Sequence, residues 1–379
     1  MSSAMTSRER QTAAYKCQEP DRVPISVRGV DPDSGALLRK HESYRPLVDA
    51  VREKGDIELR WPVSGKFMTA WLDDGKISRH VAERGEDFEL HETVIQTPTG
   101  ELVSRETVSR KGEPGLAAKF YVEDRDDVSK FLSIPYEPHQ PDMAGFFRTA
   151  QNLGERGIVL VSVGEPALLV HELLGSERLA MWSVEERDLV HELFELFTQR
   201  ICDRVKYLLG EGVGPFFSIS GPELVAPPLH SPRDFYEFVV AYDKRILDLI
   251  HDADGLVHVH CHGSIGKCIE GFAEMGANCL HPVEAPPLGD IELAEAKRRV
   301  GHRVCLQGNI QIGDLYTLSA EQIREQTINA IRDAGQGGGF MLCPTASPYM
   351  PVLTDQVRDN YLAMIETAWE YGTYPLRLN

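Results

Sequence analysis

The stretch Leu256-Val257-His258-Val259-His260-Cys261-His262-Gly263 reads as a buried strand that ends at a glycine. An amphipathic run over 264–275 follows, and Cys279-Leu280-His281 opens the next apolar segment. Strand, helix and strand in so short a span make a parallel βαβ unit, because a crossover helix must carry the chain back to the same end of the sheet. The alternation continues on both sides. Further strands are expected at 158–163, 216–220, 303–306 and 340–343, with helices near 187–211, 232–253, 290–300, 320–333 and 353–370. Toward the N-terminus, 23–27 and 56–61 bring the strand count to eight, with a helix over 46–54 and a short one capped by Thr6 or Ser7. Eight strands spaced by helices predict an α/β fold, a (β/α)8 TIM barrel.

Between 66 and 123 the texture changes. Alternating segments such as Glu92-Thr93-Val94-Ile95-Gln96-Thr97 are separated by Asp73-Asp74-Gly75 and Pro98-Thr99-Gly100, which predicts a β-hairpin insertion in the N-terminal part. There is no repeat, low-complexity tract or linker, so 1–379 reads as a single barrel domain carrying that insertion.

Forty Lys and Arg against 58 Asp and Glu give a net charge of −18, which argues against a phosphate backbone as partner. No apolar run approaches the roughly 20 residues that span a bilayer, and the N-terminal segment has no apolar signal core. A cytoplasmic protein with neither nucleic acid nor membrane as partner is expected. The seven cysteines are odd in number and form no C-x-x-C pair, as suits reduced thiols. G-x-G-x-x-G, G-x-x-x-x-G-K-[ST] and G-x-S-x-G are absent, which disfavours nicotinamide, P-loop and hydrolase-elbow chemistry.

A barrel carries its chemistry where its strands end. Alternation on a strand puts His258, His260 and His262 on one face, and three buried imidazoles are costly unless something uses them. His260 and His262, nearest the strand end, are candidate metal ligands, with His258 supporting them from deeper in the strand. Cys343 ends the last strand and could add a thiolate to make a zinc set with one open position. Hydrogen-bonded core histidines, and a small core thiol at 343, are the rival readings. Cys261, Cys279 and Cys305 read as packed core thiols. Acids follow three strands: Glu165, Glu223 and Glu284, of which Glu223 and Glu284 are the preferred candidates for acid–base or ligand-supporting work. Gly308-Asn309-Ile310, after the seventh strand, offers a backbone turn plus the Asn309 amide beside the site, and Arg28 could pair with a substrate carboxylate or with Asp31 or Asp33.

Several motifs, in order, resemble the uroporphyrinogen decarboxylase superfamily. They are Thr6-Ser7-Arg8-Glu9-Arg10 with Glu19-Pro20-Asp21-Arg22-Val23-Pro24, then His260-Cys261-His262-Gly263, then Glu284-Ala285-Pro286-Pro287-Leu288-Gly289-Asp290. Leu306-Gln307-Gly308-Asn309-Ile310, Gly337-Gly338-Gly339-Phe340 and Asp359-Asn360-Tyr361 continue the series. The resemblance implies a (β/α)8 barrel and one of two chemistries. True decarboxylases carry an arginine-rich segment after the first strand; here it is Ser26-Val27-Arg28-Gly29-Val30-Asp31-Pro32, with one arginine retained and Asp31 and Asp33 unsuited to a polyanion. The other branch comprises cobalamin-linked methyltransferases that bind zinc through His-x-Cys and a later Cys. His260-Cys261-His262 fits that position with histidine in place of the first cysteine; the later cysteine is Cys343, or Ala346 stands there in another alignment. Histidine for thiolate favours an oxygen-bearing donor over a thiol.

The resemblance therefore implies a zinc-dependent methyltransferase. It would move a methyl group between a small methoxylated donor and a corrinoid (cobalamin) supplied by a separate carrier protein. A decarboxylase or lyase of a small carboxylic acid, with Arg28 on the carboxylate, is the rival enzyme. A non-catalytic, metal-dependent ligand-binding barrel is the other alternative. A homodimer is compatible with the sequence.

Overall fold

The computed structural model describes residues 4–111 and 115–377. Strand β1 (Ile57–Pro62) is followed by four antiparallel strands: β2 (Ile77–Arg84), β3 (Phe88–Thr97), β4 (Gly100–Ser109) and β5 (Ala117–Lys119). Six more strands alternate with helices: β6 (Gly157–Ser162), β7 (Phe216–Ser220), β8 (Leu256–His260), β9 (Cys279–His281), β10 (Cys305–Ile310) and β11 (Phe340–Pro344). With β1 these six form one parallel sheet in the order β1-β6-β7-β8-β9-β10-β11. Neighbours in sequence are neighbours in the sheet, the order that right-handed βαβ crossovers produce when a sheet curls on itself.

The eighth strand expected at 23–27 is reduced to a bridge. Pro24 has no N–H to donate to a ladder, so the segment makes isolated contacts. Ile25 pairs in parallel with Leu342; Ser26 N–H donates to the Leu342 carbonyl and Leu342 N–H to the Pro24 carbonyl, each at 2.9 Å. On the other side Asp56 N–H donates to the Ile25 carbonyl at 2.7 Å. The Asp56 carboxylate returns the bond by accepting Ile25 N–H at 2.8 Å. This segment links the two edge strands, and the whole fits a TIM-like barrel with a seam held partly by a side chain.

Inside the curled sheet lies a small apolar layer. Ile158, Leu160, Phe216, Leu256, Cys279, Cys305 and Met341, each at an inward position of its strand, pack with Ala14 and Tyr15. The N-terminal helix Ser7–Tyr15 delivers Tyr15 there, edge-on to Phe216 at 5.6 Å between ring centres. Thr6 starts that helix with a capping box, its hydroxyl accepting Glu9 N–H while Glu9 reaches back. Residues on the opposite strand faces, such as Val159, Val257, Val259 and Leu306, join the larger core beneath the helices.

Three further boundaries move. Strand β8 stops at His260, so His262 lies in the turn beyond it. The strand expected at 303–306 runs Cys305–Ile310, because Gly308 and Asn309 continue the ladder with β11 instead of turning. The segment expected to be a hairpin forms the four-stranded sheet β2-β3-β4-β5, which follows β1 in the chain and has a mostly exposed edge in β2.

Candidate active site

A cavity of about 410 Å³ opens at the carboxyl ends of β1 and β9–β11, beneath the turn that follows the bridging segment. Its walls include Arg28, Asp31, Glu58, Arg60, Trp61, His281, Gln307 and Cys343. β1 contributes most of one wall.

The floor is a connected polar network. Arg60 donates to the Ser218 hydroxyl at 3.4 Å, and that hydroxyl meets His258 Nδ1 at 3.4 Å. His258 Nε2 lies 3.0 Å from the Gln307 amide oxygen, and the Gln307 amide nitrogen donates to Glu58. Glu58 also accepts from Ser26 and from Tyr15, the latter at 3.2 Å. His258 is thus fully buried with both ring nitrogens engaged; burial and the charges of Arg60 and Arg28 keep it well below the usual imidazole range.

His260 lies behind the cavity wall, against the lining residues Arg28 and His281, and is buried to 8 % exposure. Its Nε2 lies 3.2 Å from Arg28 Nη2, and its Nδ1 lies 2.9 Å from His281 Nδ1. His281 Nε2 in turn faces the Pro344 carbonyl oxygen at 3.1 Å. Burial and Arg28 hold both rings well below their usual pKa, so both are neutral. The tautomers then follow from which atoms can donate. A carbonyl only accepts, so His281 carries its proton on Nε2; His281 Nδ1 accepts, and His260 Nδ1–H donates to it. His260 Nε2 keeps a lone pair, which an Arg28 N–H meets.

His262 lies edge-on to His260, with ring centres 4.7 Å apart. Its Nδ1 is 3.2 Å from Glu284 Oε2, which also accepts the Gly263 N–H at 2.8 Å. Burial opposes the charge of Glu284, but these bonds prevail and hold its carboxyl below the usual range. His262 therefore donates Nδ1–H to that carboxylate, which leaves Nε2 as the ring nitrogen turned away from it.

The remaining candidates divide. Glu223 follows β7 and lies beside His262, whose backbone N–H helps hold it; burial raises its carboxyl, and its Oε2 is buried without a partner. Glu165 is spent on structure: it caps the helix Pro166–Glu185, accepting Ala167 N–H at 2.9 Å and Leu168 N–H at 2.6 Å, and burial pushes it up to about 8. Asn309 sits opposite Cys343 in the β10–β11 register. Cys343 is fully buried against Ser26 and the Arg28 backbone, and burial with the nearby charge of Glu58 pushes its thiol up to about 12. Asp31 does not pair with Arg28; it closes its own turn by accepting from Asp33 and Ser34 N–H.

Whether these residues fit a metal has a mixed answer. His260 and His262 each give Nδ1–H to a backing acceptor and present Nε2, the arrangement in which protein imidazoles hold metals. The arginine occupies one of those lone pairs, so an ion at His260 would take its place. Cys343 is not gathered with them. Among the described residues, only the acids Asp124, Asp126 and Asp127 bring three donor atoms within 4.8 Å of one another.

Sequence reasoning passed over Arg60, Glu58, Gln307 and His281. A signal existed for the first two: Glu58 and Arg60 alternate on a segment whose neighbours are apolar. His281 closes the strand after the histidine strand, at the matching height, since it pairs directly with His260.

Comparison with known proteins agrees with the fold. Residues 110–371 match the family model described as Uroporphyrinogen decarboxylase (URO-D). Uroporphyrinogen decarboxylase of Prochlorococcus marinus (strain MIT 9303) is 27% identical over 340 residues, covering 85% of this chain and 86% of that protein. The decarboxylase of Trichormus variabilis is 25% identical over 360 residues, covering 92% and 93%. Among solved structures, a methyltransferase from Methanosarcina mazei superposes with a TM-score of 0.61 at 15% identity, covering 97% of this chain and 99% of that one. The described helices include none long and apolar enough to cross a membrane.

Proposed function

The chain belongs to the uroporphyrinogen decarboxylase (URO-D) family, and we propose that within it this protein is a methyltransferase. It would take the methyl group of a small methoxylated carboxylic acid and pass it to a reduced corrinoid on a separate carrier protein. One observation carries the reading: two guanidiniums without a carboxylate partner line one cavity, and the His260 lone pair lies directly behind one of them.

Each residue has a task. Arg28 and Arg60 bond only to neutral protein groups, His260 and the Ser218 hydroxyl, and feel Glu58 through its charge alone. They would orient the substrate through its carboxylate. Trp61 offers a flat wall for an aromatic ring. His260 and His262 would hold zinc, with a glutamate as the candidate for completing the set; zinc would polarise the ether oxygen as a Lewis acid. The methyl leaves without its bonding pair, which stays on the oxygen, and that oxygen then needs a proton. Glu223, raised by burial and with Oε2 unpartnered, would give it. Glu284 keeps His262 oriented throughout.

The test supplies a methoxybenzoate, a reduced corrinoid carrier and the purified protein. The expected result is a methylated corrinoid and the hydroxybenzoate, abolished in His260→Ala. The same arginine pair also favours a second reading, decarboxylation of a small carboxylic acid. Release of carbon dioxide without any corrinoid would establish that reading and overturn the first.

A further inference from the structure

His281 contributes no open donor atom to the cavity and is 0% exposed. It lies edge to edge with His260, with ring centres 5.1 Å apart, planes 20° from parallel and the two Nδ1 atoms facing each other. Its own orientation is anchored by a backbone carbonyl, that of Pro344 at the end of β11. It therefore transmits the direction of a fixed main-chain acceptor to the ring of His260. The alternative tautomer of His260 would place an N–H on Nε2, against the N–H of Arg28, and leave two bare nitrogens facing each other at 2.9 Å. Both contacts would turn repulsive at once, and a buried unmatched polar pair is costly. The parallel chain through His258 ends instead on a side-chain amide and a carboxylate, and its ring has no nitrogen left for a ligand.

We propose that His281 is a positioning residue that locks His260 in the Nδ1-protonated tautomer, so that the lone pair is always on Nε2, the nitrogen turned toward Arg28. This deepens the reading of the site given above, yet it concerns the metal-free ring and can be tested without metal or substrate. Two neighbouring strands then act on one ligand atom: β8 carries it and β9 sets its protonation.

The experiment is nitrogen NMR of the full chain with labelled histidine, after chelator treatment, with the His260 signals assigned by their loss in His260→Gln. The wild type should show His260 protonated on Nδ1. His281→Leu, which removes the acceptor, should shift His260 to a mixture or to the Nε2-protonated form. His281→Asn keeps an acceptor where Nδ1 stood and should restore the wild-type pattern. Zinc affinity, titrated on the same samples, should fall about 10- to 100-fold in His281→Leu and recover in His281→Asn. A wild-type His260 protonated on Nε2, or a His281→Leu protein that keeps the Nδ1 proton, overturns the proposal. If His281→Leu does not fold, the wild-type and His281→Asn spectra decide. A locked tautomer in a protein that takes up no zinc would leave His281 in its role and remove the zinc reading instead.

Discussion

Arg10 and Arg22 lie near the seam, Arg28 and Arg60 line the cavity, and the two pairs differ in what faces them. Arg10 and Arg22 share the fully buried Asp56, each at 2.7 Å, and Arg10 also grips Asp21 at 2.6 Å. Arg28 and Arg60 stand in the cavity with neutral partners only. The first pair is complete within the chain and holds the segment 22–25 against β1. The second has no carboxylate partner within the chain, the opening that the proposed carboxylate substrate would fill. Burial and Arg60 push Arg28 down to about 10. Nearness of like residues does not reveal which will be structural and which will bind; the carboxylate count around each does.

The largest effect should come from emptying the first pair. Asp56→Ala leaves the buried Arg22 guanidinium unanswered, Arg10 with Asp21 alone and Ile25 N–H unpaired, so a loss of about 3–5 kcal/mol is expected in urea unfolding. A loss below 1 kcal/mol would erase the contrast with the cavity pair. Next, Arg28→Met or Arg60→Met should weaken a methoxybenzoate by roughly 10- to 100-fold in calorimetry, since a charge-assisted bond contributes about 1.5–3 kcal/mol. Thermal stability should hold or rise in either variant, because like charge is removed.

The same comparison runs through the acids with opposite sign. Asp56 is matched, whereas the buried Asp243 has no partner on either oxygen and sits in the field of Glu165. Glu165 is raised in the folded state from 4.5 to about 8. Between those values the folded protein holds a proton that the unfolded chain releases, so stability should fall as pH rises through that window. The slope is at most about 1.4 kcal/mol per pH unit for one proton. Glu165→Gln should flatten it in urea titrations at successive pH values; an unchanged slope would assign the proton elsewhere. Glu284 is lowered and has the opposite sign, its contribution lost only as pH drops below the usual carboxylate range. The smallest effect is Thr6→Ala. It removes the cap of the helix that carries Arg10 and should cost about 1 kcal/mol in the same unfolding assay.

Much of the site was legible because strand chemistry has a short period. Three histidines two residues apart cannot all be incidental on a buried strand, and the turn after His260 brings His262 back beside it. Arg28 was visible for its place after the bridging segment. What stayed hidden depends on pairing between distant strands. His281 becomes informative only when β9 sets it level with His260, a relation fixed by register and not by spacing along the chain. Glu58 and Arg60 were obscured because 56–61 mixes charge with apolar residues and gives a weak strand signal. Gly308-Asn309 read as a turn, but the ladder with Leu342 and Cys343 overrides that local preference. Glu165 has the same loop setting as Glu223 and Glu284, and only the backbone N–H groups above it show that it is a cap.

The bridge from Ile25 to Leu342 has a consequence for how the molecule is made. One partner of Ile25, Asp56, leaves the ribosome some thirty residues later; the other follows only after more than three hundred. Ring closure therefore falls at the end of synthesis, among the longest-range contacts a chain of this length can make. Until then the edge of β1 is guarded by a carboxylate and two guanidiniums, and that early latch keeps a half-built sheet from offering its open edge to a neighbour.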